Sequence, residues 1–194
     1  YALDRDSGAK FADVDAMLKM ATGWPLHNAL LIRAEADLTP DMTPAQIAQW
    51  FGARAPASPI GRVRLGEAIV ASGDKTRGGD LIRQGWSEGS FDDATEAGIL
   101  AQDGAYLTPE ADRARLDGLL WRGEIPAARR QMARVDRRTA ALAQSRLALA
   151  SGLANAKSAL AKVSGSSDPT LLFDWVRALR AENKDAAAHA MLLR

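Results

Sequence analysis

The chain of 194 residues has no cysteine and only two histidines, His27 and His189. The first absence excludes disulfides, thiol nucleophiles, thiolate-held zinc and iron–sulfur clusters. The second leaves little material for imidazole metal ligands or a histidine general base, so no metal and no cofactor is expected. No apolar run approaches the roughly 18 residues of a membrane helix, which excludes a membrane span. Neither charge sign prevails: 25 Lys and Arg stand against 24 Asp and Glu, a formal net charge of +1, so no overall field draws the chain to nucleic acid. Valine and isoleucine are scarce, at 6 and 7 against 39 alanines and 23 leucines, a usage that disfavours sheet and favours helix.

The prolines supply the punctuation. Five follow Ser, Thr or Asp, at Thr39-Pro40, Thr43-Pro44, Ser58-Pro59, Thr108-Pro109 and Asp168-Pro169. That dipeptide places a capping oxygen before the helix and proline at its first position, where the missing N–H is no loss. At Thr43-Pro44-Ala45-Gln46 the glutamine completes a capping box. Apolar periodicity between such signals predicts helices near 9–21, 25–37, 43–54, 60–72, 74–85, 90–102, 108–122, 125–135, 137–151, 153–163, 169–181 and 184–193. Phe11, Val14, Leu18 and Ala21 make one buried stripe, and Leu116, Leu119 and Leu120 another.

A pattern of helix, small turn residue and second helix recurs at Gly73, Gly123, Gly152 and Asn183. Short connections make sequential helices antiparallel neighbours. The expected fold is all-α: one solenoid or superhelix of antiparallel helix pairs over residues 1–194, similar in kind to tetratricopeptide arrays but with degenerate repeats. The chain opens at Tyr1-Ala2-Leu3-Asp4 with no initiator Met, and it ends on the apolar Ala190-Met191-Leu192-Leu193-Arg194 without a polar capping helix. Both ends are those expected of a fragment whose stack continues.

Candidate chemistry is sparse. Gly85-Trp86-Ser87-Glu88-Gly89 fits the nucleophile-elbow pattern, which requires a strand before the serine. Here the preceding residues read as helix, and the motif is expected to be a loop after it. Asp92, Asp93 and Glu96 share one expected helix, and Asp92 and Asp93, in its first turn after Ser90, are expected to complement the helix dipole. Residues 113–146 carry nine arginines against Asp117, Glu124 and Asp136. An ion-paired face is the plainer reading, and a surface for an anionic or carbohydrate-bearing partner is the sharper one. With Trp121 the only aromatic residue among those arginines, nucleic acid is not expected. Tryptophans 24, 50, 86, 121 and 175 are expected to pack between hairpins, sugar stacking being the alternative for an exposed one.

An ordered set of short segments carries a resemblance: Trp24-Pro25, Arg33-Ala34-Glu35, Trp50-Phe51, Gly73-Asp74, Ile82 to Trp86, and above all Arg115-Leu116-Asp117-Gly118-Leu119-Leu120-Trp121-Arg122-Gly123, followed by Ala128-Arg129-Arg130 and Leu142 to Leu149. Together they resemble the N-terminal superhelical domain of soluble lytic murein transglycosylases, in their alphaproteobacterial form. One departure is visible, since Ala111-Asp112 stand where many relatives place a histidine.

The resemblance implies a periplasmic lyase of the cell wall. In it, an α-superhelix guides peptidoglycan glycan strands and docks a C-terminal lysozyme-like domain that forms 1,6-anhydro-muropeptides. The family's catalytic Glu-Ser and Gly-Leu-Met segments do not occur in this sequence, so no catalytic residue is carried over and this chain alone is not expected to be the enzyme. Arg113, Arg115, Trp121, Arg129 and Arg130 are the expected ligand or partner surface, because guanidinium forks pair with carboxylates. The alternative is a free-standing helical-repeat adaptor for proteins.

Overall fold

A computed structural model describes residues 8–21, 23–38, 42–163 and 165–193. Among the described residues there are twelve α-helices and no strand: α1 (Phe11–Met20), α2 (His27–Ala36), α3 (Pro44–Phe51), α4 (Pro59–Ala71), α5 (Lys75–Glu88), α6 (Asp93–Asp103), α7 (Pro109–Arg122), α8 (Ile125–Gln131), α9 (Arg137–Ala150), α10 (Leu153–Ala161), α11 (Pro169–Ala181) and α12 (Asp185–Leu192). Short 3₁₀ turns follow α6 and α8. The fold is all-α, with helices packed as sequential pairs, as the composition and the spacing of caps predict. The chain divides into two compact units, Tyr1–Ala111 and Asp112–Arg194.

The starts are built as the dipeptides predict. Thr43 Oγ1 accepts from the Gln46 N–H at 3.3 Å, while Gln46 Oε1 accepts from the Thr43 N–H at 2.8 Å. Ser58 caps α4 through the Gly61 N–H, and Asp168 caps α11 through the Thr170 and Leu171 N–H groups. Thr108 Oγ1 accepts from the Ala111 N–H at 3.3 Å at the start of α7. Thr39-Pro40 lies outside the described residues.

The stops share one design. After α4, Gly73 adopts φ +106°, its N–H bonds to the Val70 carbonyl and the Asp74 N–H bonds to the Ile69 carbonyl. This paired closure needs a left-handed residue just past the helix. The same two bonds recur around Gly123, to Leu120 and Leu119, and around Asn183, to Arg180 and Leu179. Asn183 is the one non-glycine residue at positive φ among those described, at +58°. Gly152 turns at +105°, but there the next N–H, of Leu153, bonds to Glu182 Oε1 at 3.0 Å.

In the first unit, Val14, Leu18, Ala21, Leu30, Leu31 and Ala34 close the α1–α2 pair. Phe11 packs on that core and against Trp50, with ring centroids 5.7 Å apart. The α4–α5 pair is held backbone to backbone. A Cβ added at Gly66 would lie 2.7 Å from the Gly78 carbonyl oxygen, and one at Gly85 2.5 Å from that of Pro59. Residues 59 to 66 therefore meet 85 to 78 in antiparallel register. That close approach carries α5 past its expected end at 85: Trp86 is fully buried and Glu88 pairs with Arg62 at 3.0 Å. The start of α6 moves correspondingly, with Asp92 as its cap, accepting from the Thr95 N–H at 2.8 Å, so that Asp92 acts first through a hydrogen bond.

In the second unit, Leu116, Leu119, Ala127, Ala128 and Ala143 form one core, with Leu120 packed against it. Leu149, Ala156 and Leu171 form another, joined by Trp175 and Ala178. Helix α8 ends at Gln131 and tightens into the 3₁₀ turn Met132–Arg134, the chain turning extended at Val135, where the end is expected.

Candidate functional site

Arginine 115 has no exposed surface, and its Nη1 donates to Gln131 Oε1 at 2.7 Å. Gln131 in turn donates to the Asp112 carbonyl oxygen at 3.1 Å and to Asp112 Oδ1 at 2.9 Å. Arg134 grips the same carboxylate with two bonds, at 2.9 and 3.0 Å. Asp112 thus anchors a helix-to-helix network from one of the two positions where the resemblance leads one to look for histidine. Buried polar groups must be bonded internally, and this set is. Arg115 is consequently removed from the expected ligand surface: its guanidinium is consumed by the fold.

A second buried arginine joins three helices. Arg146 donates to Asp174 Oδ2 at 2.7 Å and to Asp117 Oδ1 at 2.5 Å. Arg177 adds a contact to Asp174 at 3.3 Å. Arg113, half exposed, pairs with Asp136 at 3.2 Å. Asp136 caps α9, and the N–H and hydroxyl of Thr139 lead in lowering its carboxyl to a pKa of about 2. Much of the arginine excess is therefore internal ion pairing, as the plainer reading expects, though part of it is buried rather than solvated.

Of the grooves on this unit, one of about 290 Å³ is lined by Arg113, Asp117, Thr139 and Arg146 among others, and two more border the other exposed candidates. One of these two, of about 410 Å³, is lined by Arg129, Met132, Gln144, Leu147, Ser151 and Asn155 among others. Arg129 is exposed there, and its guanidinium makes no hydrogen bond or ion pair among the described residues. Arg130, its neighbour, is half-buried and has partners. The other groove, of about 220 Å³, is lined by Trp121, Arg122, Glu124, Leu147, Asp174 and Arg177 among others. Leu147 borders both. Trp121 is 66% exposed and Phe173 49% exposed; their ring centroids are 5.4 Å apart and the planes inclined by 35°.

The tryptophans thus divide. Trp86 is buried, Trp175 is half-buried in a core, and Trp50 is half-buried with Nε1 donating to Asp15 at 2.7 Å and Arg54 over its ring at 4.4 Å. Trp24, 59% exposed, and Trp121 depart from the expected core packing. Sequence reading named Trp121 but not Phe173. A signal existed: both lie out of phase with the apolar stripe of their own helix, Leu116, Leu119 and Leu120 in α7 and Leu171, Trp175 and Ala178 in α11.

Two carboxyl sites in the first unit were invisible in sequence. Glu35, fully buried, accepts from the N–H groups of Ala57 and Ser58, each at 2.7 Å, and from the Ser58 hydroxyl. It ties the chain entering α4 to α2. Asp103, 3% exposed, faces Glu67, which Arg64 holds through both oxygens at 2.9 and 3.0 Å. One cation cannot neutralise two carboxylates. Burial raises Asp103 to about 7, the Glu67 charge and a hydrogen bond shared with Glu67 add to this, and Arg64 opposes it.

Ser87 sits in the last turn of α5, with Oγ donating to its own helix at Gln84 O, 3.0 Å away. The loop expected there is helix, and the strand that an elbow requires is absent from these residues. No helix among those described is long and apolar enough to cross a membrane. Compared with protein-family models, with curated proteins and with solved structures, the chain matches none.

Proposed function

We propose that this chain is the non-catalytic helical scaffold of a periplasmic peptidoglycan lytic transglycosylase, guiding glycan strands and docking the catalytic domain of the same protein. The observation that supports it most is how the block Arg115 to Gly123 is used. Arg115 bonds to Gln131, Leu116 and Leu119 fill the core, Asp117 holds Arg146, and Gly123 closes the helix. The block on which the resemblance rests most heavily is thus a structural hub, with polar groups committed to internal bonds and one large ring, Trp121, turned outward. That division of labour suits a frame that presents a surface.

The test is co-sedimentation of the chain with purified sacculi, followed by muropeptide analysis of the supernatant. Retention on sacculi, weakened by added salt through screening of exposed arginines, is expected, with no 1,6-anhydro products released by these residues alone. Absence of retention at low salt overturns the reading.

A further inference from the structure

The first unit carries a groove of about 620 Å³, within the roughly 300–1,000 Å³ range of small-molecule sites. Three segments build it. Leu65 and Ile69, one turn apart on the same face of α4, and Leu81 on α5 make an apolar floor, all three half-buried. The turn 52–56 after α3 makes a wall, and its Ala53 and Ala55 carry only methyl groups, which leaves the space above the floor open.

The unbalanced charge of this groove is of one sign. Arg77 is exposed in the first turn of α5, where the positive end of the helix dipole adds to it, and its guanidinium has no partner among the described residues. Arg54, on the turn, stacks over Trp50 and donates to the Trp50 carbonyl oxygen at 2.6 Å, with no carboxylate bonded to it. Its Nε is buried without a hydrogen-bond partner. Asp15, which Arg54 influences through its charge alone, is taken by Lys19 and by the Trp50 indole. Asp80, the acidic residue of the lining, is paired with Arg83. Two guanidinium groups therefore border the groove with no anion of this unit bonded to either.

That combination selects an occupant. A docked helix is too large, since α5 rises only about 10 Å from Arg77 to Gln84 at 1.5 Å per residue, and no large apolar side chain of the lining is exposed. A bare inorganic anion would leave the floor in water and rest on an exposed arginine, an attraction that salt screens. A neutral apolar molecule would strip water from the guanidinium groups and give nothing back. We propose that this groove binds a small amphiphilic carboxylic acid, its alkyl body over Leu65, Ile69 and Leu81 and its carboxylate on Arg77, backed by the charge of Arg54. The site lies outside the proposed scaffold role and requires nothing of it.

The probes are hexanoate, octanoate, 1-octanol and octylammonium, each titrated into the full chain and followed by amide chemical shifts. Each buried methylene is worth about fourfold in affinity, so octanoate is expected to bind about tenfold more tightly than hexanoate, with shifts at Ala53, Ala55, Arg77 and Leu81. Octanol is expected to bind at least about fivefold more weakly than octanoate, and octylammonium to leave these residues unshifted. Arg77→Gln brings octanoate to within about threefold of octanol, and Ala55→Phe fills the groove and abolishes binding of both. Both positions are exposed, and the Arg77 N–H keeps its bond to Asp74, so neither change reaches the core. Equal affinities for hexanoate and octanoate overturn the apolar half, and equal affinities for octanoate, octanol and octylammonium overturn the carboxylate half. Octanoate binding that survives Ala55→Phe overturns the location. Shifts at the same residues that grow with protein concentration alone would make the groove a contact between copies. A response there to an acidic amphipathic peptide, with none to octanoate, would make it a protein contact; either result overturns the assignment. Retention on sacculi can fail while octanoate binds, or persist while it does not, so the failure of one reading is distinguishable from that of the other.

Discussion

Replacing Asp103 with asparagine removes a charge that the first unit holds at a loss above neutral pH. The carboxyl is 3% exposed, it faces Glu67, and Arg64 is already engaged by both oxygens of that glutamate. A rise from 3.8 to about 7 is roughly 3 pKa units, on the order of 4 kcal/mol at about 1.36 kcal/mol per unit. The sign follows from proton counting. Between those values the folded chain holds a proton that the unfolded chain has released, so stability falls as pH rises. About 2–3 kcal/mol of that loss lies between about pH 5 and about pH 8, and the titration belongs to the Asp103–Glu67 pair as a unit. The assay is urea unfolding of both proteins across that range, followed by far-ultraviolet circular dichroism. Asp103→Asn keeps the shape, lets a neutral amide donate to Glu67, and is expected to be the more stable protein, its advantage widening by about 2–3 kcal/mol from about pH 5 to about pH 8. Parallel pH profiles for the two proteins would refute the argument, because they would mean that Asp103 is ionised in the folded chain or that water reaches it.

Three further substitutions test the frame. Glu35→Ala leaves the Ala57 and Ser58 N–H groups without their acceptor and is expected to cost about 3 kcal/mol in chemical denaturation, with Glu35→Gln losing less. Gly66→Ala forces a methyl to within 2.7 Å of the Gly78 carbonyl oxygen, so a loss of about 1–3 kcal/mol from overpacking is expected, partly offset by about 1 kcal/mol of helix propensity; a rise in thermal midpoint would sink the close-packed reading of α4 and α5. Arg146→Met strands the buried Asp174 and is expected to destabilise the second unit by about 3–5 kcal/mol, with Arg146→Lys restoring only part, as measured by calorimetric unfolding.

Local signals made the helices legible. Thr43 with Gln46, Ser58 with Gly61 and Asp168 with Leu171 announce starts through bonds spanning three residues, and Gly73, Gly123, Gly152 and Asn183 announce stops through one dihedral each. Where the boundaries slipped, the cause was distant. Trp86 and Glu88 extend α5 because α4 is there to receive them, and the bonds that Asp112 and Arg115 make to the Gln131 amide join residues 16 and 19 positions apart. The same holds for the candidate surface. Arg115 and Arg129 are equivalent letters in a basic segment, yet one meets Gln131 in the interior and the other meets no described partner. The Asp103–Glu67 contact joins residues 36 positions apart with no motif at either end, so nothing in the order of residues could disclose it.

The repeated helix stop bears on how such a chain can change over generations. At Gly73, Gly123 and Asn183 the closure uses one left-handed residue and two backbone bonds to the helix just ended, and borrows nothing from elsewhere. A duplicated or deleted helix pair would carry its own punctuation with it, and its neighbours would need to match only in the faces they bury. The turn at Gly152 is the exception, since the Leu153 N–H is satisfied by Glu182 from the turn that follows α11. The two hairpins α9–α10 and α11–α12 are stitched at their tips, and gene rearrangements that keep the chain folded should gain or lose them together.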